Sequence, residues 1–129
     1  MSALEPGQDL PELKVTPDKY LTYRYAGASG DFNPIHIDDE FAKSVGLPGR
    51  ILHGLYMMSQ VARAVGAAGD GPESLRRLEV QFRGMGFPEQ EITVTGTVKE
   101  ERDGLVVVDT VAEQSGNQII RNAEAEIEV

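Results

Sequence analysis

The 129-residue chain contains no cysteine and no tryptophan. Without thiols there can be no disulfide, no thiolate nucleophile and no thiolate metal site, and a reducing compartment is permitted. Histidine is scarce as well: His36 and His53 are the only two. Two widely separated imidazoles and no cysteine give no recognisable ligand spacing, so no metal is expected. There is no glycine-rich phosphate loop and no dinucleotide fingerprint, since Gly66-Ala-Ala-Gly-Asp-Gly71 closes an apolar stretch instead of opening a helix; no cofactor is expected either. A Gly-x-Ser-x-Gly elbow is also missing, so no serine-bound intermediate is implied. Basic residues are few, with 12 Lys and Arg against 21 Asp and Glu and a net charge of −9. A field of that sign excludes broad binding of nucleic acid or of an anionic membrane surface. The first ten residues lack a basic start followed by an apolar run, and the longest apolar run, near residues 55 to 68, is broken by Ser59, Gln60 and Arg63. Neither a secretion signal nor a membrane span is read from these, and a soluble, cytoplasmic protein is expected.

The length fits one domain, residues 1–129, with a modest core. Residues 1 to 12 read as a loose lead-in, followed by a short edge strand at Leu13-Lys-Val-Thr16 that Pro17 stops. Thr16 is a candidate N-cap with Pro17 at the first helical position, which predicts a helix running to about Ala28 and delivering Asp31 at its end. A short helix is predicted over Ile37 to Val45, with acids in its first turn and Phe41 and Val45 packing inward. From Gly54 to about Ala67 the chain is apolar on most faces and reads as a buried helix. The second half changes to a period of two. Leu78, Val80 and Phe82 alternate with charged neighbours, as do Ile92, Val94, Gly96 and Val98 with theirs. Asp103-Gly104 and Ser115-Gly-Asn117 mark tight turns, and Asn122, Glu124, Glu126 and Glu128 give the last strand a solvent face. A buried helix followed by four or five antiparallel strands predicts an α+β arrangement, an antiparallel β-sheet wrapped around a central apolar helix.

Residues Tyr25 to Glu40 concentrate a carboxylate, an imidazole and a proline-stiffened bend. Asp31 and His36 lie five residues apart with Pro34 between them, and the proline pushes Asn33 out of the helical region, so the chain bends and can bring the two side chains to one point. That combination reads as an acid/base site. Each residue has an ordinary explanation when taken alone: Asp31 as a turn cap after Gly30, His36 as a histidine with one structural hydrogen bond, Asn33 as a turn residue. Further on, Gly49-Arg-Ile-Leu-His-Gly54 leads into the buried helix, whose first turn carries free N–H groups suited to an oxyanion.

Both segments resemble the MaoC-like family of (R)-specific enoyl-thioester hydratases and 3-hydroxyacyl-thioester dehydratases. The signature is Ser29-Gly-Asp-Phe-Asn-Pro-Ile-His36, and the second motif is Leu52-His-Gly54 opening the central helix. The resemblance implies the hotdog fold, with Asp31 and His36 as a catalytic dyad and Gly54 as the backbone oxyanion donor. It implies supporting positions for Asn33 and His53. Phe32, Leu55, Tyr56 and Met57 are candidates to line an acyl site, with core packing as the alternative for each. The implied substrate is an acyl-CoA or acyl-carrier-protein thioester. A homodimer is expected, with a heterodimer alongside a homologous subunit as the alternative. The rival functions are a hotdog acyl thioesterase and an acyl-binding subunit of a two-subunit dehydratase. For a substrate phosphate, the available cations are Lys43, Arg50, Arg76, Arg77 and Arg83.

Overall fold

A computed structural model describes residues 4–129; the first three residues of the expected lead-in lie outside them. The elements in order are β1 (Leu13–Val15), α1 (Leu21–Ser29), α2 (Pro34–Ile37), α3 (Asp39–Ser44), α4 (Gly54–Ala68), β2 (Leu75–Phe82), β3 (Ile92–Arg102), β4 (Leu105–Gln114) and β5 (Asn117–Ile127). The strands form one antiparallel sheet in the order β1-β3-β4-β5-β2.

Two tight hairpins build the middle of the sheet. Asp103 and Gly104 have φ of 53° and 80°, and Ser115 and Gly116 have φ of 51° and 79°. Two successive positive φ values define the turn whose twist matches that of the flanking strands, which is why an Asp-Gly and a Ser-Gly pair stand there. The alternation in β5 survives two irregularities, one on each side of the Ala112–Ile120 pair. Between Thr110–Ala123 and Ala112–Ile120 the register gains a residue on β5, with Asn122 at φ 49°. This bulge lets Ile120 and Ala123 both enter the core while Arg121 and Asn122 stay outside.

The sheet curves around α4, whose Tyr56, Met57, Gln60, Val61, Ala64 and Val65 are buried at helical spacing. Val61 and Val65 meet Ile92, Val94, Val108, Ile119, Ile120 and Ile127 in one core cluster. Burial of this apolar surface is the main force holding the helix in the sheet.

Four expectations are corrected. The lead-in is bound to the sheet: Gly7 N–H donates to Val98 O at 2.8 Å, Leu10 N–H to Gly96 O at 2.9 Å, and Leu10 is buried where residue 96 has no side chain. Helix α1 starts at Leu21, not at Pro17, because Pro17 is held elsewhere by Glu89 N–H donating to its carbonyl. Asp18 opens the helix instead, accepting from Tyr20 N–H at 2.8 Å. The helix expected over residues 37 to 45 begins at Asp39 instead of Ile37, because extended Asp38 ends the preceding turn α2 and caps α3 by accepting from Phe41 N–H at 3.1 Å. Finally, Phe41 and Val45 are exposed, and Ala42 is the residue of α3 that packs inward.

Candidate active site

Helix α1 ends at Gly30, which has φ 79° and donates its N–H to Ala26 O. The backbone beyond it is organised by side chains. Ser29 Oγ accepts from Asp31 N–H at 3.2 Å, Asp31 Oδ1 from Asn33 N–H at 3.2 Å, and Asn33 Oδ1 from Ile35 N–H at 3.3 Å. Each small polar side chain thus satisfies a backbone donor two residues on, which is the reason these residue types bend the chain. One consequence concerns Asp31. Its Oδ1 is tied to the turn, while Oδ2 is directed toward His36, with Oδ2 to Nε2 at 3.8 Å.

His36 is set by a different device. Ile51 N–H donates to Ile35 O at 3.0 Å and Leu52 N–H to Gly86 O at 2.8 Å, lashing the segment before α4 between α2 and the β2–β3 loop. This brings Ile51 O to 2.8 Å from His36 Nδ1. A carbonyl can only accept, so Nδ1 carries a hydrogen, and the neutral form of the ring presents a bare Nε2 acceptor to Asp31. Two acceptors 3.8 Å apart are not bonded to each other, but one water can donate a hydrogen to each.

His53 lies behind the dyad, fully buried. Its ring stacks on His36 with centroids 3.9 Å apart and planes 22° apart, and Tyr25 closes its other side at 4.7 Å. His53 Nε2–H donates to the backbone carbonyl of Asp31 at 3.0 Å, so the imidazole clamps the start of the signature against the start of α4. Burial pushes its pKa below the usual histidine range; the Asp31 carbonyl works the other way and His36 adds to the lowering. A neutral His53 leaves His36 free of a charged neighbour on its stacked face.

Ligand atoms of Asp31, His36 and His53 lie within 4.8 Å of one another. With the rings stacked nearly parallel, their in-plane lone pairs run side by side instead of converging, and each ring spends one nitrogen on a carbonyl. This arrangement suits a water better than a metal ion.

Beside the dyad is a cleft of about 290 Å³ walled by Tyr25, Ser29, Asp31, His53, Gly54, Leu55 and Phe82. Gly54 is the first residue of the 15-residue α4, and the first-turn bonds to His53 O come from Tyr56 and Met57, leaving the Gly54 N–H for a ligand. A Cβ at residue 54 would stand 3.3 Å from the Phe82 ring, so glycine keeps the cleft open there.

Of the residues expected to line an acyl site, Leu55 is in the cleft. Phe32 is exposed next to Asp31 but outside the wall, and Tyr56 and Met57 are in the core, because helical spacing from Gln60 and Val61 turns them to the sheet. Tyr25, Ser29 and Phe82 are walls that sequence reading missed. Ser29 belongs to the signature and was legible there. Phe82 comes from a strand distant in sequence, and nothing local marked it. Among the proposed phosphate cations, Arg50 is committed to structure: it pairs with Asp39 at 2.7 Å, bonds Lys19 O and covers the Tyr23 ring. The Arg50 backbone N–H and guanidinium hold the Asp39 carboxyl below its usual range.

A family model described as the MaoC like domain matches residues 3–120. The chain belongs to the MaoC-like family. The fatty acid synthase beta subunit hexB of Dothistroma septosporum is 36% identical over 109 residues, covering 81% of this chain. The peroxisomal hydratase-dehydrogenase-epimerase of Saccharomyces cerevisiae is also 36% identical over 109 residues, covering 84% of it. The chain spans only 6% and 11% of the lengths of those two relatives. Among solved structures, the R-hydratase PhaJ1 from Pseudomonas aeruginosa superposes with a TM-score of 0.86 at 26% identity, covering 98% of this chain and 82% of that one. The sheet order and the wrapped helix are those of the hotdog fold.

Proposed function

We propose that this MaoC-like domain reversibly hydrates a trans-2-enoyl thioester to the (R)-3-hydroxyacyl thioester. The observation that carries the reading is the pair of acceptors, Asp31 Oδ2 and His36 Nε2, 3.8 Å apart at the edge of the cleft that Gly54 opens. A water donating to both has a lone pair left for C3 of the enoyl group. As its oxygen bonds C3, one proton passes to the dyad, the C2–C3 π bond breaks, and a proton returns from the dyad to C2, so one water is added overall. Negative charge that gathers on the thioester oxygen meets the Gly54 N–H at the α4 start. One such donor is worth about 3 kcal/mol in the transition state. A relative named as a hydratase and a neighbour named as an R-hydratase support this reaction class.

A homodimer belongs to the same reading. Strands β1 and β2 are the open edges of the sheet, and Phe32, Leu55 and Phe82 are exposed beside the cleft at 58%, 64% and 49%. A second copy on that side would cover both an edge and an apolar mouth.

Crotonyl-CoA tests the function. Loss of the enoyl absorbance without release of free thiol is the expected result. Release of free thiol would make the protein a thioesterase, and an unchanged substrate that still binds would make it an acyl-binding subunit. Chiral analysis of the product should give the (R) alcohol, and an (S) product would overturn the stereochemical assignment.

A further inference from the structure

A larger cavity, about 700 Å³, opens on the other side of the β2 end and is walled by Arg83, Gly84 and Met85, by Phe87, by the β4–β5 turn and by Arg121. Its charge is unlike the rest of this acidic chain. Arg24, Arg50, Arg76, Arg77 and Arg102 each meet a carboxylate. Arg83 and Arg121 meet none among the described residues, and no carboxylate lines the cavity they share. The two are brought together by the strand register. Arg121 pairs with Gln81 across β2 and β5, and Gln81 Oε1 accepts from Arg83 at 2.9 Å and from Asn122 at 2.9 Å. A neutral amide therefore orients one guanidinium beside another, leaving two neighbouring cations without a counterion in a chain of net charge −9. A guanidinium fork of this kind matches a phosphate.

The cavity adjoins the candidate active site through one short segment. Phe82 walls the catalytic cleft and Arg83, the next residue, walls the cavity. Three residues further on, Gly86 packs against Leu52, which immediately precedes His53-Gly54, and against Met57 in the first turn of α4. Building on the hydration reading above, we propose that Arg83 and Arg121 bind a phosphate of the thioester's carrier while its acyl end enters the cleft at Gly54. Phosphate of this kind is offered by the nucleotide part of CoA and by the phosphopantetheine arm common to CoA and carrier proteins.

The test compares crotonyl-CoA, crotonyl-4′-phosphopantetheine and crotonyl-pantetheine on wild type, Arg83→Gln and Arg121→Gln, with Lys14→Gln as a charge control on exposed β1 at the far edge of the sheet. Each arginine variant should lower the ratio of kcat/KM for crotonyl-CoA to that for crotonyl-pantetheine by about tenfold, through loss of a charge-assisted contact, and Lys14→Gln should leave the ratio in place. The loss should shrink as ionic strength rises. If the phosphopantetheine thioester shows the same loss, the phosphate recognised is the one shared with carrier proteins; if only the CoA thioester does, it belongs to the nucleotide. Ratios within twofold of wild type in both arginine variants would overturn the proposal. Calorimetric titration with free CoA separates the two readings. Binding that weakens about tenfold in both variants while no thioester is hydrated would keep the phosphate site and sink the hydration reading. Hydration with CoA binding indifferent to both arginines would do the reverse.

Discussion

From Leu75 to Ile127, backbone groups pair with backbone groups, and apolar side chains on one face supply the energy. Between Gly30 and Gly54 the backbone is met by Ser29, Asp31, Asn33 and Asp38 side chains, and two buried imidazoles take the place of a core. The first region tolerates repacking provided that volume and pattern persist. The second depends on single atoms: Asp31 Oδ1 must hold the turn for Oδ2 to face His36. The contrast places stability in the sheet and α4 and chemistry in the loops, where few contacts constrain geometry and each is specific.

The contrast is tested most severely at the dyad. Asp31→Asn keeps the shape and the turn bond but removes the basic oxygen, and His36→Ala removes the facing nitrogen. Either should reduce crotonyl-CoA hydration by about a hundredfold or more with the melting temperature nearly unchanged. A variant with more than a tenth of wild-type rate would show that the pair is not the acid/base machinery.

The opposite case is Ile120→Ala. Ile120 is fully buried against α4 by virtue of the β5 bulge, so the truncation should cost about 2–5 kcal/mol of stability. Chemical denaturation should show the loss, and enzyme that remains folded at low temperature should keep its specific rate. A rate that fell with full stability would erase the division between the two regions.

Asn33→Ala sharpens the division inside the loop region. Removing the cap of the one-turn α2 should cost about 1 kcal/mol, read as a shift in denaturation midpoint. An unchanged midpoint would mean that the Ile51–Ile35 bond alone holds α2.

The smallest effect is a pH dependence at His53. Its folded pKa is lowered, first by burial, so the unfolded chain binds the proton more readily. Stability from this residue is therefore complete above the unfolded value of about 6.5 and is lost as pH falls below it, through the lower folded pKa. His53→Gln should flatten the fall in melting temperature between pH 7.5 and 5, relative to its own value at pH 7.5. An equally steep fall in the variant would assign the effect to other groups.

How far each region could be read from residues alone follows the same line. The hairpins at Asp103-Gly104 and Ser115-Gly116, the alternation of β3 to β5 and the burial of α4 were legible because turn chemistry and side-chain period are local. The bulge at Asn122 was not, since it depends on what lies across two neighbouring strands. In the site, Asp31, Asn33 and His36 were legible through a contiguous signature and Gly54 through the Leu52-His-Gly54 motif, whereas the start of α1 was misplaced because a distant contact from Glu89 holds Pro17 out of the helix.

Composition and motif by themselves determined a cysteine-free α+β domain with an Asp-x-Asn-Pro-x-His bend feeding a buried helix. Those properties are written in neighbouring residues, and local sterics and hydrogen bonding enforce them. Only the tertiary structure decided that His36 receives its tautomer from Ile51 O, that His53 is stacked and neutral behind it, that Phe82 walls the cleft, and that Arg83 and Arg121 share a cavity without a carboxylate. Each of these joins residues far apart in the chain, and their meeting is set by sheet register and by the closing of the sheet on α4, quantities that no local pattern contains.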